Sequence, residues 1–232
     1  MTDAPRISCI IPAYNEAPRI GAVLETVLAS ALIDEVIVVD DASADATAGI
    51  AREFADRHPG LTLLVQPVNG GKTRAVAAGL VAARGDLVML LDADLAGLTP
   101  DHLASLAEPV LDGRADAAIS LRRNAPWPWR AIGLDYISGE RVLPRALLAA
   151  HLGQLDTLPR FGLEVFMNRL WLANGLRIAV VRWPGVSSPL KGAKQGLRAG
   201  LSADLRMMGD IFRTVRPWEA LAQILRLRTR RI

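Results

Sequence analysis

LVMLLDADLAGLTP, residues 87–100, sets two carboxylates, Asp92 and Asp94, one residue apart directly after an apolar run. The run at 87–91 has the length and composition of a buried strand. Alternate residues of a strand share a face, so the two carboxylates would point the same way. Like charges this close raise each other's pKa unless a cation lies between them. The stretch therefore favours a cation site at a strand end, with a solvated turn and a helix-capping aspartate as the alternative.

Strand-like and helix-like segments alternate along the first half of the chain. The apolar runs predict strands at 7–11, Glu35–Asp40, 61–66 and 87–91. Helical spacing of apolar residues predicts helices at 17–30, 44–57 and 72–84. This alternation predicts an α/β fold with a Rossmann-like, mostly parallel sheet that is flanked by helices. Ligands of such sheets bind beyond the carboxyl ends of the strands, where Asp92 and Asp94 would lie.

The pattern changes after residue 116. A further strand is predicted over ADAAISLRR at 115–123, and it ends with Arg122 and Arg123. The next segment, NAPWPWRAIG at 124–133, contains two prolines and two tryptophans, which suit neither a helix nor a central strand. We expect a loop that folds over a ligand, with Trp127 and Trp129 as contact surface for the acceptor; packing of these rings on the core is the alternative. Later spacing predicts helices at 142–151, 161–174 and 196–215 and a strand at 177–181.

Composition and charge bound the class of protein. The 232 residues are 51% hydrophobic and 22% charged, which is typical of a globular protein, and the single Cys9 is expected in the core. No leader-like segment and no apolar run of ~18 residues is visible, so a cytoplasmic location is expected. From Arg182 onward, eleven Lys and Arg residues face three Asp and Glu residues. This basic tail predicts peripheral contact with the cytoplasmic face of a membrane, a solvated helix face being the alternative; no nucleic acid is expected.

Four motifs resemble those of family 2 glycosyltransferases, in the order and spacing of that family. They are IIPAYNE at 10–16, VVDDASADAT at 38–47, NGGKTRAVAAGLVAARGD at 69–86 and LLDADL at 90–95. The resemblance implies the GT-A fold, a nucleoside-diphosphate sugar as donor and Mg or Mn as cofactor. SGERVLPR at 138–145 and FGLEVFMN at 161–168 are similar to the subgroup of polyprenyl-phosphate sugar transferases and glucosyl-3-phosphoglycerate synthases.

The resemblance divides the chain and implies a donor site. A GT-A catalytic domain would span 1–195, with a nucleotide-sugar part at 1–125 and an acceptor part at 126–195, before a basic amphipathic helical tail at 196–232. Asp94 would hold the metal directly, and Asp92 would hold the ribose or the metal. Other nucleotide-sugar contacts are expected from Pro12, Tyr14, Glu16, Asp41 and Lys72. An ordinary lysine in the first turn of a helix is the alternative for Lys72.

Catalytic and acceptor roles fall on charged residues of the second half. Arg122 matches a family arginine that contacts phosphate, which suits the planar fork of a guanidinium. Glu164 lies in an apolar helical segment, where a carboxylate is costly without a role; it is a candidate base, or a group that binds an acceptor hydroxyl or an arginine. Arg141 is a candidate contact for an anionic acceptor, an arginine on a helix surface being the alternative.

Two departures from the family pattern concern the metal. Ala96 stands where many polyprenyl-phosphate enzymes carry a further polar contact. RWPGVSSPLKGAK at 182–194 holds no histidine, although glucosyl-3-phosphoglycerate synthases place a metal-binding histidine in that region. The metal would therefore have few protein ligands and would bind together with the nucleotide.

The expected function is transfer of a sugar from a nucleoside-diphosphate sugar to a polyprenyl or other lipid phosphate, or to a small anionic metabolite. A non-catalytic sugar-nucleotide-binding protein is the main alternative. A sugar nucleotidylyltransferase is a weaker one, because that class requires a glycine-rich basic loop after the first strand and PAYNEAPR is not such a loop.

Overall fold

The computed structural model describes residues 5–155, 158, 162–188 and 217–231. Its strands are β1 (Ile7–Ala13), β2 (Glu35–Asp40), β3 (Leu61–Val65), β4 (Leu87–Leu90), β5 (Ala117–Arg122), β6 (Arg141–Pro144) and β7 (Ile178–Trp183). Its helices are α1 (Ile20–Leu28), α2 (Thr47–Arg57), α3 (Lys72–Ala82), α4 (Pro100–Leu111), α5 (Trp127–Ile132), α6 (Arg145–Ala149), α7 (Leu152–Leu155), α8 (Gly162–Ala173) and α9 (Pro217–Thr229).

The seven strands form one sheet in the order β3-β2-β1-β4-β6-β5-β7. Strands β3, β2, β1 and β4 run parallel, and β5 runs parallel to β7. Strand β6 lies between β4 and β5 and is antiparallel to both. The predicted Rossmann-like, mostly parallel sheet is therefore confirmed, with one reversed strand, β6, in its interior.

Helices cover both faces of the sheet because the central strands are apolar on both sides. All four residues of β4 are buried, as are six of the seven in β1. Helices α1, α2 and α4 pack on one face, and α3, α8 and α9 contribute to the core on the other. In α1 the buried residues are Ile20, Val23, Leu24 and Val27, the spacing that places side chains on one side of a helix.

The segment predicted as a loop at 124–133 contains helix α5, so that prediction was wrong. Pro128 lies in the first turn, where the missing N–H of a proline has no intrahelical partner to lose. The ring of Trp129 is buried and lies 5.7 Å from that of Tyr136, centroid to centroid. Trp129 is thus a core residue and not the acceptor contact that we expected. The side chain of Trp127 lies outside the described residues.

The predicted helix at 142–151 was also wrong in its first half. Residues Arg141–Pro144 form strand β6, and only Arg145–Ala149 are helical. The apolar pair Val142 and Leu143 is buried between two neighbouring strands, so tertiary pairing overrides the helical spacing. The predicted helix at 196–215 lies outside the described residues. Among the residues that are described, no helix is both long and apolar enough to cross a membrane.

Candidate active site

Polar side chains from four strands meet at one edge of the sheet. Tyr14 follows β1, Asp41 follows β2, Asp92 and Asp94 follow β4, and Arg122 ends β5. Parallel strands present their carboxyl ends at the same edge, and ligands of open α/β sheets bind there. The fold therefore gathers residues that are far apart in the sequence.

Asp94 has one carboxylate oxygen engaged and one without a partner. Its Oδ2 accepts a hydrogen bond from Ser188 Oγ at 2.6 Å. Its Oδ1 is buried and has no hydrogen-bond partner among the described residues. Burial raises the pKa of Asp94, and the neighbouring Asp92 raises it further. An orphaned oxygen on a carboxylate that resists ionisation is the arrangement that a hard cation would satisfy.

Asp92 and Glu164 are joined through Lys72. The ammonium of Lys72 donates to Asp92 Oδ1 at 2.7 Å and to Glu164 Oε1 at 3.0 Å. Burial alone would lower the pKa of Lys72, but the two carboxylates together raise it above its ordinary value. Burial alone would raise the pKa of Asp92, but Lys72 and Arg122 lower it. At this site Lys72 is therefore the charged centre of a three-residue bridge.

Gly139 lies against this bridge. A Cβ at this position would come within 2.5 Å of Lys72 Nζ and 2.6 Å of Asp92 Oδ1. Such distances do not occur in folded proteins, so a side chain here would displace Lys72 or Asp92. The backbone before β6 is thus one wall of the site.

Arg122 lies among four carboxylates. Its Nε is 3.3 Å from Glu140 Oε2, and its Nη2 is 3.8 Å from Asp135 Oδ2. Burial opposes its charge, but Glu140, Asp92, Asp135 and Asp94 raise its pKa in that order. Both Asp135 and Glu140 are fully buried.

The charge of this cluster fits a divalent cation. Five carboxylates, from Asp92, Asp94, Asp135, Glu140 and Glu164, face three cationic side chains, from Lys72, Arg122 and Arg141. The carboxylates outnumber the cationic side chains, and this excess of negative charge favours a bound cation. No group of three or more His, Cys, Asp or Glu suited to a metal is found in the described parts of the chain. A cation here would therefore complete its coordination with oxygens from a ligand and water.

The other residues that we expected to bind the nucleotide sugar lie at the ends of strands β1 and β2, around the same edge of the sheet. Tyr14 is exposed, whereas Pro12 and Glu16 are partly buried, and Glu16 pairs with Arg19 at 2.8 Å. Asp41 is buried, and its two oxygens accept from the N–H groups of Gly70 and Gly71 at 2.7 Å each. These bonds hold the turn that starts α3 and thereby position Lys72.

Gly71 in that turn has φ +83°, a conformation that L side chains rarely adopt. A base-binding role for Asp41 stays a prediction, and in this structure its carboxylate supports the loop.

Arg141 does not face the site, so the expectation that it contacts an acceptor was wrong. It lies on strand β6 and is fully buried. Its guanidinium donates to Asn168 Oδ1 at 2.8 Å and to the carbonyl of Ser138 at 2.8 Å, and it lies over the ring of Trp171. It is also not the helix-surface arginine of the alternative interpretation, because the chain is extended here.

Four residues of the site were not predicted from the sequence, namely Asp135, Gly139, Glu140 and Ser188. Glu140 had a usable signal, since ISGERVL sets one acid in an apolar context, as FGLEVFMN does for Glu164. Ser188 had none, because its contact with Asp94 spans 94 positions of the chain. Residues 96 and 187 form a bridge that brings these two segments together.

Comparison with known proteins places this geometry in a family. The model of glycosyl transferase family 2 matches residues 8–166. A dolichyl-phosphate beta-glucosyltransferase of Trichomonas vaginalis is 40% identical over 103 residues, which cover 40% of this chain and 32% of that protein. Glucosyl-3-phosphoglycerate synthase of Mycolicibacterium paratuberculosis is 34% identical over 113 residues, which cover 46% of this chain and 34% of that protein.

A solved structure supports the same assignment. Glucosyl-3-phosphoglycerate synthase from Mycobacterium tuberculosis, in complex with Mn²⁺, UDP-glucose and phosphoglyceric acid, matches with a TM-score of 0.66 and 26% identity. The match covers 88% of this chain and 80% of that chain. By contrast, the chain spans 28–32% of the length of three dolichyl-phosphate beta-glucosyltransferases that it matches. Because the family model covers well over half of the sequence, the chain belongs to glycosyl transferase family 2.

Proposed function

We propose that this protein transfers a sugar from a nucleoside-diphosphate sugar to an anionic acceptor, with a divalent cation at Asp94 and Asp92. The observation that carries the proposal is the buried Oδ1 of Asp94, which has no hydrogen-bond partner among the described residues and lies at the carboxyl end of a central strand. The related structure with Mn²⁺ and UDP-glucose supports the choice of donor and metal. Mn²⁺ or Mg²⁺, when bound, would neutralise charge on the leaving diphosphate.

Side chains of the protein itself would bind the other parts of the two substrates. Lys72 and Arg122 provide two positive charges at the same edge as Asp94, and the planar guanidinium of Arg122 suits a phosphate oxygen pair. The nucleotide would bind at the part of the site that carries Pro12, Tyr14, Glu16 and Asp41. Glu164 accepts a hydrogen bond from Lys72, so we assign it to holding that ammonium group at the site. We also propose that Glu164 contacts the acceptor.

We propose a phosphate- or carboxylate-bearing acceptor. Relatives act on dolichyl phosphate or carry phosphoglyceric acid in their solved structures, as their names state. A phosphate oxygen is ionised at neutral pH and needs no strong base to attack a sugar carbon. That agrees with a site whose candidate base, Glu164, is occupied by an ammonium group.

Peripheral membrane contact is proposed for the outer face of α9. Trp218 and Leu225 are exposed and lie seven residues apart, which puts them on one side of a helix. Arg226 is exposed next to Leu225. An apolar stripe flanked by arginine is the surface that lies in the headgroup region of an anionic bilayer. This contact would serve a lipid-phosphate acceptor.

Thermal unfolding with sugar nucleotides tests the proposal. UDP-, GDP-, ADP- and dTDP-sugars are added with Mn²⁺, with Mg²⁺ or with EDTA, and we expect one nucleotide to raise Tm only when metal is present. Asp94→Asn should abolish that metal-dependent shift. The control is Asp112→Asn, which changes an exposed carboxylate that pairs with Arg114 and should leave the shift intact.

Two outcomes would contradict the proposal. The cation site is wrong if Asp94→Asn keeps the full metal-dependent shift. The enzyme claim is wrong, and the protein is a sensor, if the nucleotide binds but no nucleoside diphosphate is released with polyprenyl phosphates, with phosphoglycerate or with water.

A further inference from the structure

Strand β6 explains how a buried acid reaches the active site. Because β6 runs antiparallel between β4 and β5, its amino end lies at the edge where those two strands have their carboxyl ends. Glu140 is the residue immediately before β6. It therefore stands between Asp92, beyond the end of β4, and Arg122, at the end of β5.

Two hydroxyl groups fix the carboxylate of Glu140. Ser120 Oγ and Ser138 Oγ donate to its Oε2 at 2.7 and 2.6 Å. The same oxygen lies 3.3 Å from Arg122 Nε. Glu140 is fully buried, and its Oε1 has no hydrogen-bond partner in the described ranges. Burial of a carboxylate is costly unless it is paired with a cation and hydrogen-bonded, and Arg122 is a cation that this carboxylate contacts.

Two pairs of carboxylates attract Arg122. Glu140 and Asp135, the inner pair, are fully buried, while Asp92 and Asp94 lie at the candidate metal site. The contact with the inner pair is direct, at 3.3 and 3.8 Å, whereas no ion pair shorter than 4.0 Å joins Arg122 to Asp92 or Asp94 within the described structure. Without the inner pair, the guanidinium would be drawn to the two aspartates and would compete with a cation for them.

We propose that Glu140 is a positioning residue that holds Arg122 away from Asp92 and Asp94 and aims it at a phosphate group in the site. The inference rests on the proposed function, since it presumes a phosphate ligand and a cation. Ser120 and Ser138 keep the carboxylate in place, and Asp135 supports the same guanidinium from a second direction. Glu140 itself touches neither donor nor acceptor.

A double-mutant cycle on Glu140 and Arg122 tests the inference. Glu140→Gln keeps the shape and the hydroxyl contacts but removes the charge, and we expect it to lower kcat/KM at least tenfold. In an Arg122→Gln background the same change should alter kcat/KM less than twofold, because the group that Glu140 positions is gone. The metal concentration for half-maximal Tm shift should rise in Glu140→Gln, since a released Arg122 competes for Asp94.

Glu35→Gln is the matched control. Glu35 also accepts from a serine hydroxyl, Ser8 Oγ, but it lies at the opposite edge of the sheet. Its effect should be the same in the wild-type background and in the Arg122→Gln background. If Glu140→Gln does not fold, Ser120→Ala and Ser138→Ala loosen the carboxylate without removing its charge and should show the same coupling to Arg122.

The outcomes separate the two proposals. Equal effects of Glu140→Gln in both backgrounds, or an unchanged kcat/KM, would overturn the positioning role while leaving glycosyl transfer intact. A wild-type protein with neither metal-dependent nucleotide binding nor turnover would overturn both.

Discussion

Asp135 shows how strongly burial acts on a single group at this site. Burial raises its pKa to about 6; Arg122 lowers the value and Glu140 raises it. An unfolded chain releases the same proton near 3.8, the ordinary value for this group. Between those values the native state binds the proton and the unfolded state does not, so this group makes the free energy of unfolding fall as pH rises.

We therefore expect Asp135→Asn to flatten part of the pH dependence of stability. Relative to the variant, wild type should lose on the order of 2–3 kcal/mol in its free energy of unfolding between pH 4 and pH 7. Urea unfolding at several pH values measures it. Asp116→Asn is a control of opposite sign, because hydrogen bonds from Arg177 lower the pKa of Asp116 and its contribution is lost as pH falls. Parallel curves for wild type and Asp135→Asn would contradict the assignment.

Single residues also show which parts of the site could be predicted from the sequence and which could not. Asp92 and Asp94 were predictable because their spacing after an apolar run is local information. The bridge from Asp92 through Lys72 to Glu164 was not, since its parts are 20 and 92 positions apart. Ser188 had no local signal for the same reason.

At the scale of elements, most helices and strands with clear periodicity were predicted, whereas the twelve-residue helix α4 and the short elements β6 and α5 were not. Strand β6 has four residues, and its partners β4 and β5 decide its conformation. Because β6 was not predicted, Arg141 was expected at the acceptor or on the surface of a helix. Helix α5 was missed because the position of Pro128 in a first turn is visible only once the start of the helix is known.

Helix α9 braces two elements that carry site residues. Gln223 accepts from the hydroxyl of Tyr136, at 2.6 Å, in the segment that leads to Gly139. Arg169 of α8 pairs with Glu219, and Leu227 is buried in the core that α8 shares. The last part of the predicted amphipathic tail, helix α9, thus packs against α8 and against the segment before β6.

Leucine truncations in α9 should separate its packing face from its outer face. Leu227→Ala removes a buried side chain and should lower the free energy of unfolding by about 2–5 kcal/mol. Leu225→Ala, two residues earlier and 53% exposed, should change it by less than about 0.5 kcal/mol. Urea unfolding followed by circular dichroism decides the matter. Equal effects would mean that α9 does not pack as described.

At the scale of the whole molecule, positive charge and exposed apolar side chains occur together in the last part of the chain. The chain carries a net charge of +3, and its basic residues are concentrated beyond residue 181. The exposed face of α9 adds Trp218 and Leu225 to that region. Electrostatic attraction and partial insertion of apolar side chains reinforce each other at an anionic bilayer.

Flotation with vesicles of phosphatidylcholine and phosphatidylserine tests this surface. Wild type should float with the vesicles, and the double variant Trp218→Ser and Leu225→Ser should bind at least fivefold less. Val81→Ser changes an exposed apolar residue on α3, outside this surface, and should have no effect. Equal flotation of all three proteins, or none by wild type, would rule out membrane contact through α9.

The reversed strand β6, in the interior of the sheet, also affects the order in which the chain folds. Strands β1 to β4 form their hydrogen bonds with one another, whereas β5 and β7 join that sheet only through β6. Pairings between distant parts of a chain form slowly, because a long loop must close first. During synthesis on the ribosome, strands β1 to β4 can pair early, but Arg122 cannot be held at their carboxyl end before residues 141–144 have emerged. Maturation of the site therefore coincides with insertion of one short strand, and a chain stalled before it would leave the edge of β4 open to pairing with other chains.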